Sequence, residues 1–299
     1  MNPEASIPSF AEFLVLPLDA LRPLLPEALI YAASGTRRAA ALAGVPTQGD
    51  AFAAWTQGEL WRTVELFQRC GARHLIMPML GPSQFDEVTA DYREHLWRWY
   101  LQGLTGAPAL AHYRRMGWRV RLACSEFIPA LRQAGQLLAA ETPPEASFTL
   151  WCYAVPDYDA PLQWLIEAAR RAVVETASES IPAVQRVLYG EAIPPVTLYL
   201  GTGKPQLSSL QLPPLLARGP LQGYWHQKPG YSLDEVGLRQ VLYDDVYLRR
   251  TWRADKAGRA EQSLAYRQAW QSAPILGLGT RLGPFWYPTP LEAVEGSSV

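Results

Sequence analysis

Six short apolar runs recur along the chain, with more polar segments between them. Each run has the length of a strand and is almost continuously apolar, without regular alternation between apolar and polar residues. Such runs are typical of strands that are covered on both faces in a parallel sheet. The runs lie at residues 28–33, 74–80, 118–124, 148–154, 196–201 and 275–278.

Apolar residues spaced three and four apart predict helices over 50–70, 86–104 and 161–174. A further helix is predicted to begin at Ser232, with Glu235 as its capping-box partner, and to run to about Arg250. Alternating strands and helices predict an α/β fold with an open, mainly parallel six-stranded sheet flanked by helices. Because ligands bind beyond the carboxyl ends of such strands, the loops after the first five runs are expected to surround one site.

The amino-acid composition limits the classes of protein to which the chain can belong. The chain has 299 residues, 48% hydrophobic and 18% charged, with a formal net charge of −1. These values exclude a disordered chain and give no basic field for nucleic acid. No apolar stretch approaches the ~20 residues of a membrane span, and no export signal is evident. We therefore expect a single domain over 1–299, with an irregular tail from about residue 284, in the cytoplasm.

The three cysteines are Cys70, Cys124 and Cys152, each inside an apolar segment. They are widely separated and form no C-x-x-C pair, so neither a zinc site nor a disulfide framework is predicted. We expect buried free thiols in a reducing compartment.

The first candidate site follows the first apolar run, where the chain reads Ser34-Gly35-Thr36-Arg37-Arg38. A glycine lets the backbone bend close to an anion, and the first N–H groups of the next helix point towards it. Adjacent guanidinium groups match phosphate oxygens in geometry. A strand–glycine–helix turn is also a common structural element, so this loop alone is compatible with either interpretation.

A second candidate loop follows the fifth run. It reads Gly201-Thr202-Gly203-Lys204 and continues to Ser208 and Ser209. A flexible backbone, a hydroxyl and an ammonium group suit an anion, although the spacing of a Walker A loop is absent. Two such loops at one edge of a sheet predict a diphosphate held between them.

The segment 242–250 is dense in aromatic and charged residues. On a helix, Asp245 and Arg249 are four residues apart and are expected to pair. Asp244 and Asp245 diverge by about 100° around a helix, so they are not expected to chelate a metal. Among the histidines, His226 lies nearest the expected site, whereas His74, His95 and His112 have structural contexts.

The order of these features resembles the cis-prenyltransferase (undecaprenyl diphosphate synthase-like) superfamily. "SGTRR" matches the family's Asp-Gly-Asn-x-Arg loop, and "GTGKPQLSS" matches the stretch after the fifth strand. "LRQVLYDDVYLRR" and "LGLGTRLGPFWY" are similar to segments of a divergent branch of diterpene synthases. That branch is the tuberculosinol/tuberculosinyl adenosine transferase and kolavelool synthase group.

The resemblance implies a terpene synthase of the diterpene type that ionises an allylic prenyl or bicyclic diterpenyl diphosphate and releases pyrophosphate. Water or another nucleophile would then capture the cation. The candidates for stabilising the cation through an aromatic face are Tyr92, Trp97, Trp99, Tyr224 and Trp225. The family likeness also implies a homodimer.

The predicted catalytic set is Ser34, Arg37, Arg38, Tyr243 and Asp244. The predicted substrate-binding set is Gly35, Thr36, Thr202, Lys204, Ser208, Tyr92, Trp99, Tyr224, Trp225, His226 and Arg249. No residue is predicted to be a metal ligand.

Four positions depart from the family pattern. The loop aspartate, which serves the magnesium–diphosphate, is Ser34, and the arginines that bind isopentenyl diphosphate correspond to Gly201 and about Gln206. The acidic residue of the next strand corresponds roughly to Gln222. These changes argue against chain elongation. Because hard cations prefer carboxylate oxygens, Ser34 also argues against Mg2+ as cofactor, without excluding it. A metal-independent cyclase or isomerase, and a catalytically silent prenyl-binding paralogue, are the alternatives.

Overall fold

A computed structural model describes residues 7–86, 90–207, 211–249 and 257–288. Its centre is a six-stranded sheet in the order β3-β4-β2-β1-β5-β6, in which every neighbouring pair is parallel. The predicted fold class is confirmed. The strands are β1 Ala28–Ala32, β2 His74–Leu80, β3 Trp118–Ala123, β4 Phe148–Ala154, β5 Leu198–Thr202 and β6 Gln222–His226.

Helices cover both faces of this sheet. The helices of the described residues are α1 Phe10–Leu14, α2 Leu18–Leu21, α3 Thr36–Leu42, α4 Gly49–Arg69, α5 Pro82–Phe85, α6 Ala90–Thr105, α7 Ala107–Met116, α8 Pro129–Glu141, α9 Ala160–Thr176, α10 Ile181–Tyr189, α11 Glu235–Tyr243, α12 Arg259–Gln262 and α13 Arg267–Gln271. A π-helical turn, Asp244–Leu248, follows α11, and a 3-10 turn, Ser263–Tyr266, follows α12.

Alternate residues of each central strand enter different cores, which explains the continuous apolar runs. In β1, Tyr31 packs against Phe67 of α4 on one face, with the ring centroids 5.4 Å apart. Ile30 belongs to the core on the other face, together with Trp164 of α9. Both faces of β1 are therefore buried, as parallel sheets require.

The sixth strand was assigned wrongly from the sequence. Residues 275–278 form no strand, and the sixth strand is β6, which reads Gln-Gly-Tyr-Trp-His. All five residues of β6 are half-buried because the strand lies at the sheet edge, so it lacks the apolar signal of the central strands. Downstream, β7 Gly279–Leu282 and β8 Phe285–Pro288 form an antiparallel hairpin, so a strand occupies the start of the segment expected to be irregular from about residue 284.

The start of the last long helix also differs from the prediction. Asp234 caps α11, since its Oδ1 accepts a hydrogen bond from Gly237 N at 2.8 Å. Ser232 instead donates its hydroxyl to Lys228 O, 3.0 Å away. The predicted capping box at Ser232 is wrong, because Asp234 stands two residues further on, immediately before the helix, and caps it.

A π-helical turn changes the ion pair that the sequence predicted beyond α11. Arg249 N donates to Asp244 O, five residues earlier, at 2.8 Å. This extra residue in the turn brings Arg249 to Asp244, with Nε and Oδ2 2.8 Å apart, rather than to Asp245 as predicted. Arg250, the expected end of the helix, lies outside the described residues.

Burial of His74 predicts that stability falls under mildly acidic conditions. The imidazole is buried, and its Nδ1 accepts a hydrogen bond from Trp151 Nε1 at 3.3 Å. Burial lowers the pKa of His74 in the folded state, whereas an unfolded histidine titrates near about 6.5. The unfolded chain therefore binds the proton first, and stability present above about pH 6.5 is lost as the pH falls towards the folded-state value.

Denaturant unfolding at about pH 7.5 and about pH 5.5 measures this loss, since the two values bracket the titration. In the His74→Asn variant the amide oxygen can still accept from Trp151, but no group titrates. We expect a smaller pH-dependent loss in this variant than in the wild type. An equal loss in both proteins would contradict the assignment.

Within the described part of the chain, no helix combines the length and the apolar character needed to cross a bilayer.

Candidate functional site

The loops after β1 and β5 are joined directly by Ser34 and Thr202. Ser34 N donates to Thr202 Oγ1 at 2.7 Å, and Ser34 Oγ donates to Thr202 O at 2.5 Å. Thr202 Oγ1 in turn donates to Ser34 O at 3.1 Å. The contact follows from strand order, because β1 and β5 are neighbours and Ala32 pairs with Gly201. The two candidate anion loops therefore lie side by side.

Gly35 starts α3 in a left-handed conformation, with φ = 75°. A Cβ at this position would lie 2.6 Å from Arg38 Nη2 and 2.9 Å from Pro229 Cβ. A Cβ at Gly203, in the fifth-strand loop, would lie 3.8 Å from the same Arg38 nitrogen. The Arg38 guanidinium thus lies against both glycine loops, and only glycine at position 35 leaves it this space.

The Gly35→Ala variant is predicted to lose turnover while remaining folded. The substitution costs about 1–2 kcal/mol for the left-handed backbone, and the new methyl group displaces the Arg38 guanidinium from its place. Steady-state kinetics should show a larger loss in kcat/KM than thermal unfolding shows in stability. Gly44→Ala, at φ = 70° with nothing within 4 Å of the added Cβ, has the same backbone strain without the contact and is the matched control. Equal kinetics in the two variants would contradict the prediction.

The two loops form one end of a cavity of ≈ 1320 Å³. The first, second, fourth and fifth strands contribute loops to its wall, and α4 and α6 contribute further lining residues. The loop after β3 was expected here, but it does not belong to the described lining, because β3 is the edge strand furthest from β1 and β5 in this sheet.

Positive charge lies at the loop end of the cavity, supplied by Arg37, Arg38 and Lys204. Arg37 Cζ lies 4.4 Å above the centre of the Tyr92 ring, and Arg38 Cζ lies 5.6 Å from that of Phe285. None of the three cations forms an ion pair with a carboxylate of the described residues. Their charge is therefore available to an anionic ligand.

The remainder of the wall is rich in aromatic and amide side chains. Of the predicted site, Ser34, Gly35, Thr36, Arg37, Arg38, Tyr92, Trp99, Thr202, Lys204 and Trp225 line the cavity. Sequence reasoning missed Asp50, Gln57, Tyr100, Gln102, Tyr158, Tyr231 and Trp286, which also line it. Their places on helix faces and on the C-terminal hairpin depend on packing, and no local motif marks them.

Three other predicted residues, Tyr224, Asp244 and Arg249, lie together at β6 and the turn after α11, outside the described lining of the cavity. Tyr224 OH donates to Asp244 Oδ2 at 2.5 Å, and Arg249 Nε donates to the same oxygen at 2.8 Å. The Arg249 guanidinium also lies 4.2 Å above the Tyr224 ring. Burial and the hydrogen bond to Asp244 raise the pKa of Tyr224, which keeps the phenol protonated. This cluster ties the edge strand to the segment after α11.

Three further candidates lie outside the described lining and have structural partners, and a fourth cannot be placed. Tyr243 OH donates to Pro8 O at 2.9 Å. His226 Nδ1 accepts from Lys228 N at 3.0 Å, and burial lowers the pKa of this imidazole. Trp97 packs against Phe85, with the ring centroids 5.1 Å apart. Ser208 lies outside the described residues.

The cavity walls do not fit a metal held by the protein. Ser34 Oγ, at the position of the family aspartate, donates to Thr202 O and offers no carboxylate oxygen. The described residues contain no group of three or more histidine, cysteine, aspartate or glutamate side chains that could hold a metal ion. Magnesium prefers carboxylate and water oxygens in octahedral geometry, and without a substrate the described lining supplies one carboxylate, Asp50, instead of a set of such ligands.

No protein-family model matches the chain. It is 44% identical to the (+)-kolavelool synthase of Herpetosiphon aurantiacus over 281 residues, which cover 94% of this chain and 96% of that protein. It is 30% identical over 103 residues to the tuberculosinyl adenosine transferase of Mycobacterium tuberculosis, covering 33% of this chain and 34% of the transferase.

Solved structures support the fold. A probable undecaprenyl diphosphate synthase from Campylobacter jejuni superposes with a TM-score of 0.52 at 16% identity, covering 76% of this chain and 97% of that one. Lavandulyl diphosphate synthase from Lavandula x intermedia, in complex with dimethylallyl diphosphate, gives a TM-score of 0.54 at 16% identity and covers 77% and 98%.

Proposed function

The chain belongs to the kolavelool synthase family of diterpene synthases, and from this premise we propose that it ionises a bicyclic diterpenyl diphosphate and adds water to the resulting allylic cation. One observation carries the proposal. Arg37, Arg38 and Lys204 have no carboxylate partner among the described residues and meet at one end of a cavity lined with aromatic side chains. An anionic head group and a large apolar body match the two parts of this cavity.

Ionisation is the step that the cationic end would accelerate. The carbon–oxygen bond to the diphosphate breaks, and both electrons leave with pyrophosphate. Guanidinium groups stabilise the charge that develops on the leaving group more than they stabilise the bound substrate, and this difference lowers the barrier. Arg37 and Arg38 are fork-shaped donors suited to phosphate oxygens.

The aromatic walls would act on the cation that remains. Tyr92, Trp99 and Trp225 are the predicted aromatic residues that line the cavity. A cation near an aromatic face gains about 0.5–2 kcal/mol, most where water is excluded. At ≈ 1320 Å³ the cavity exceeds the roughly 300–1,000 Å³ of ordinary small-molecule sites. It therefore has room for a twenty-carbon skeleton with its diphosphate.

Chain elongation is not favoured. A second, isopentenyl-type diphosphate requires its own cationic contacts, and the positions of the family's arginines hold Gly201 and about Gln206. Lys204 is the single cation that the described part of the fifth-strand loop contributes to the lining. One diphosphate site and one large apolar volume suit a synthase that consumes a complete prenyl chain.

We further propose a cytoplasmic homodimer. The three cysteines are free and buried, which suits a reducing compartment. Large apolar side chains in the segment before the hairpin are exposed in the single chain, among them Trp270 at 70% and Leu276 at 90%. A second copy would cover such a surface. Analytical ultracentrifugation measures the mass directly.

Product analysis tests the proposed reaction. Purified protein is incubated with geranylgeranyl diphosphate or with bicyclic diterpenyl diphosphates in 18O-labelled water, with Mg2+ or with EDTA. We expect pyrophosphate release and a diterpene alcohol that carries the label, because water attacks carbon after the carbon–oxygen bond breaks. A protein that releases no pyrophosphate from any of these substrates contradicts the proposal and favours a silent prenyl-binding paralogue.

A further inference from the structure

Asp50 is the one acidic residue among the described residues that line the cavity. The other charged side chains of this lining are the cations Arg37, Arg38 and Lys204. A carboxylate in this place repels a diphosphate substrate and therefore weakens its binding. It is favourable for catalysis only if it interacts better with a later, positively charged species than with the substrate.

One carboxylate oxygen of Asp50 has polar partners, and the other has none among the described residues. Trp99 Nε1 donates to Oδ1 at 3.2 Å, and Arg98 Nη2 lies 3.7 Å from the same oxygen. Oδ2 has no hydrogen-bond partner among the described residues. The side chain is 91% exposed, so water reaches it freely.

Asp50 lies on the same wall as the proposed diphosphate site. Trp99 packs against Phe52, with ring centroids 6.1 Å apart, and shares an apolar cluster with Tyr92. The Tyr92 ring carries Arg37 at 4.4 Å. A continuous layer of side chains from α3, α4 and α6 thus connects the carboxylate to the guanidinium that would hold the leaving group.

We propose that Asp50 is the proton acceptor for the water that captures the allylic cation. This inference rests on the proposed function. A lone pair of the water oxygen forms the new carbon–oxygen bond, and the oxonium ion that results gives one proton to Asp50 Oδ2. The proton then passes to solvent, which the exposure of Asp50 permits. The carboxylate also offsets the positive charge of the oxonium ion that water capture produces, which is the interaction that compensates for its repulsion of the diphosphate.

A purely structural role makes a different prediction. Asp50 is the second residue of α4, where a negative charge stabilises the positive end of the helix dipole. Loss of that interaction would lower the melting temperature and leave the distribution of products unchanged. The ratio of alcohol to hydrocarbon therefore separates the two roles.

The Asp50→Asn variant is the test, because its amide oxygen still accepts from Trp99 while its basicity is lost. Pyrophosphate release and the products are measured together. We expect pyrophosphate release to continue and the ratio of alcohol to hydrocarbon to fall about tenfold or more, since a cation without a proton acceptor for water loses a proton from carbon. Glu59→Gln, on the same helix at a carboxylate that pairs with Arg62 outside the described lining, is the matched control and should keep the wild-type ratio.

Each other outcome decides against the inference. An unchanged ratio in Asp50→Asn overturns it and leaves the proposed function intact, provided that the wild type releases pyrophosphate. Loss of pyrophosphate release at an unchanged melting temperature assigns Asp50 to ionisation and overturns its role in water capture. A wild type that releases no pyrophosphate overturns the proposed function, and the inference with it.

Discussion

Arg38→Ala is expected to lower kcat by about 100- to 1,000-fold, the range for loss of a donor that stabilises developing negative charge. Arg38 lies against both anion loops, since a Cβ at Gly35 or at Gly203 would come within 2.6 Å or 3.8 Å of Nη2. It has no carboxylate partner among the described residues, so its removal leaves no buried charge unpaired. Steady-state measurement of pyrophosphate release gives the change in rate.

Two further variants serve as controls for the Arg38→Ala measurement. Arg38→Lys should retain part of the activity, because an ammonium group keeps the charge but cannot form the two parallel hydrogen bonds of a guanidinium group. Arg171→Ala removes an exposed arginine of α9 that pairs with Glu175 and should change the rate little. Turnover by Arg38→Ala within about threefold of the wild type, a difference of less than 1 kcal/mol, would contradict the assigned diphosphate site.

Ser34→Asp is expected to lower stability and to make turnover depend on Mg2+. The serine hydroxyl donates to Thr202 O at 2.5 Å, and an ionised aspartate cannot donate. Its carboxylate would instead face a carbonyl oxygen, with a cost of about 1–3 kcal/mol for the lost hydrogen bond and the unpaired acceptor. A Mg2+ ion between the carboxylate and the substrate diphosphate would relieve this repulsion.

Melting temperature and turnover in Mg2+ and in EDTA measure the effect. We expect the Ser34→Asp variant to lose about tenfold or more of its turnover in EDTA relative to Mg2+, equivalent to about 1.4 kcal/mol. Ser34→Asn is the matched control, because its amide has a similar shape and can donate to Thr202 O without adding charge. Equal turnover of Ser34→Asp in both conditions would show that position 34 does not correspond to the metal-binding aspartate of the family.

The central strands were predictable because their signal is local. β2 and β4 have the predicted bounds, and β1 and β3 differ by one residue at their ends. The apolar pattern missed β6 because an edge strand needs less apolar character, and the apolar residues 275–278 were mistaken for the sixth strand. Only the family resemblance placed a strand beginning at about Gln222. The π-helical turn after α11 also had no local signature, so the partner of Arg249 was predicted one residue away from its true position.

The residues of the candidate site were also predictable only in part. Its loop residues, from Ser34 to Arg38 and at Thr202 and Lys204, were found because loops at strand ends carry their chemistry in consecutive residues. The residues of "LYDDVYLRR" were also chosen, but in the structure Asp244 and Arg249 hold β6 in place outside the described lining. The residues of a motif can therefore identify a family even when they do not all line the same cavity.

The sequence by itself determined the sheet type, the candidate loops at the strand ends and the family, because each depends on residues close together in the chain. Only the tertiary structure decided which side chains share the cavity. Asp50 and Trp99 are 49 residues apart, yet their hydrogen bond of 3.2 Å orients the cavity's carboxylate. Ser34 and Thr202 are 168 residues apart and join the two loops. Such contacts depend on the order of the strands and the packing of the helices, which hydrophobic periodicity does not encode.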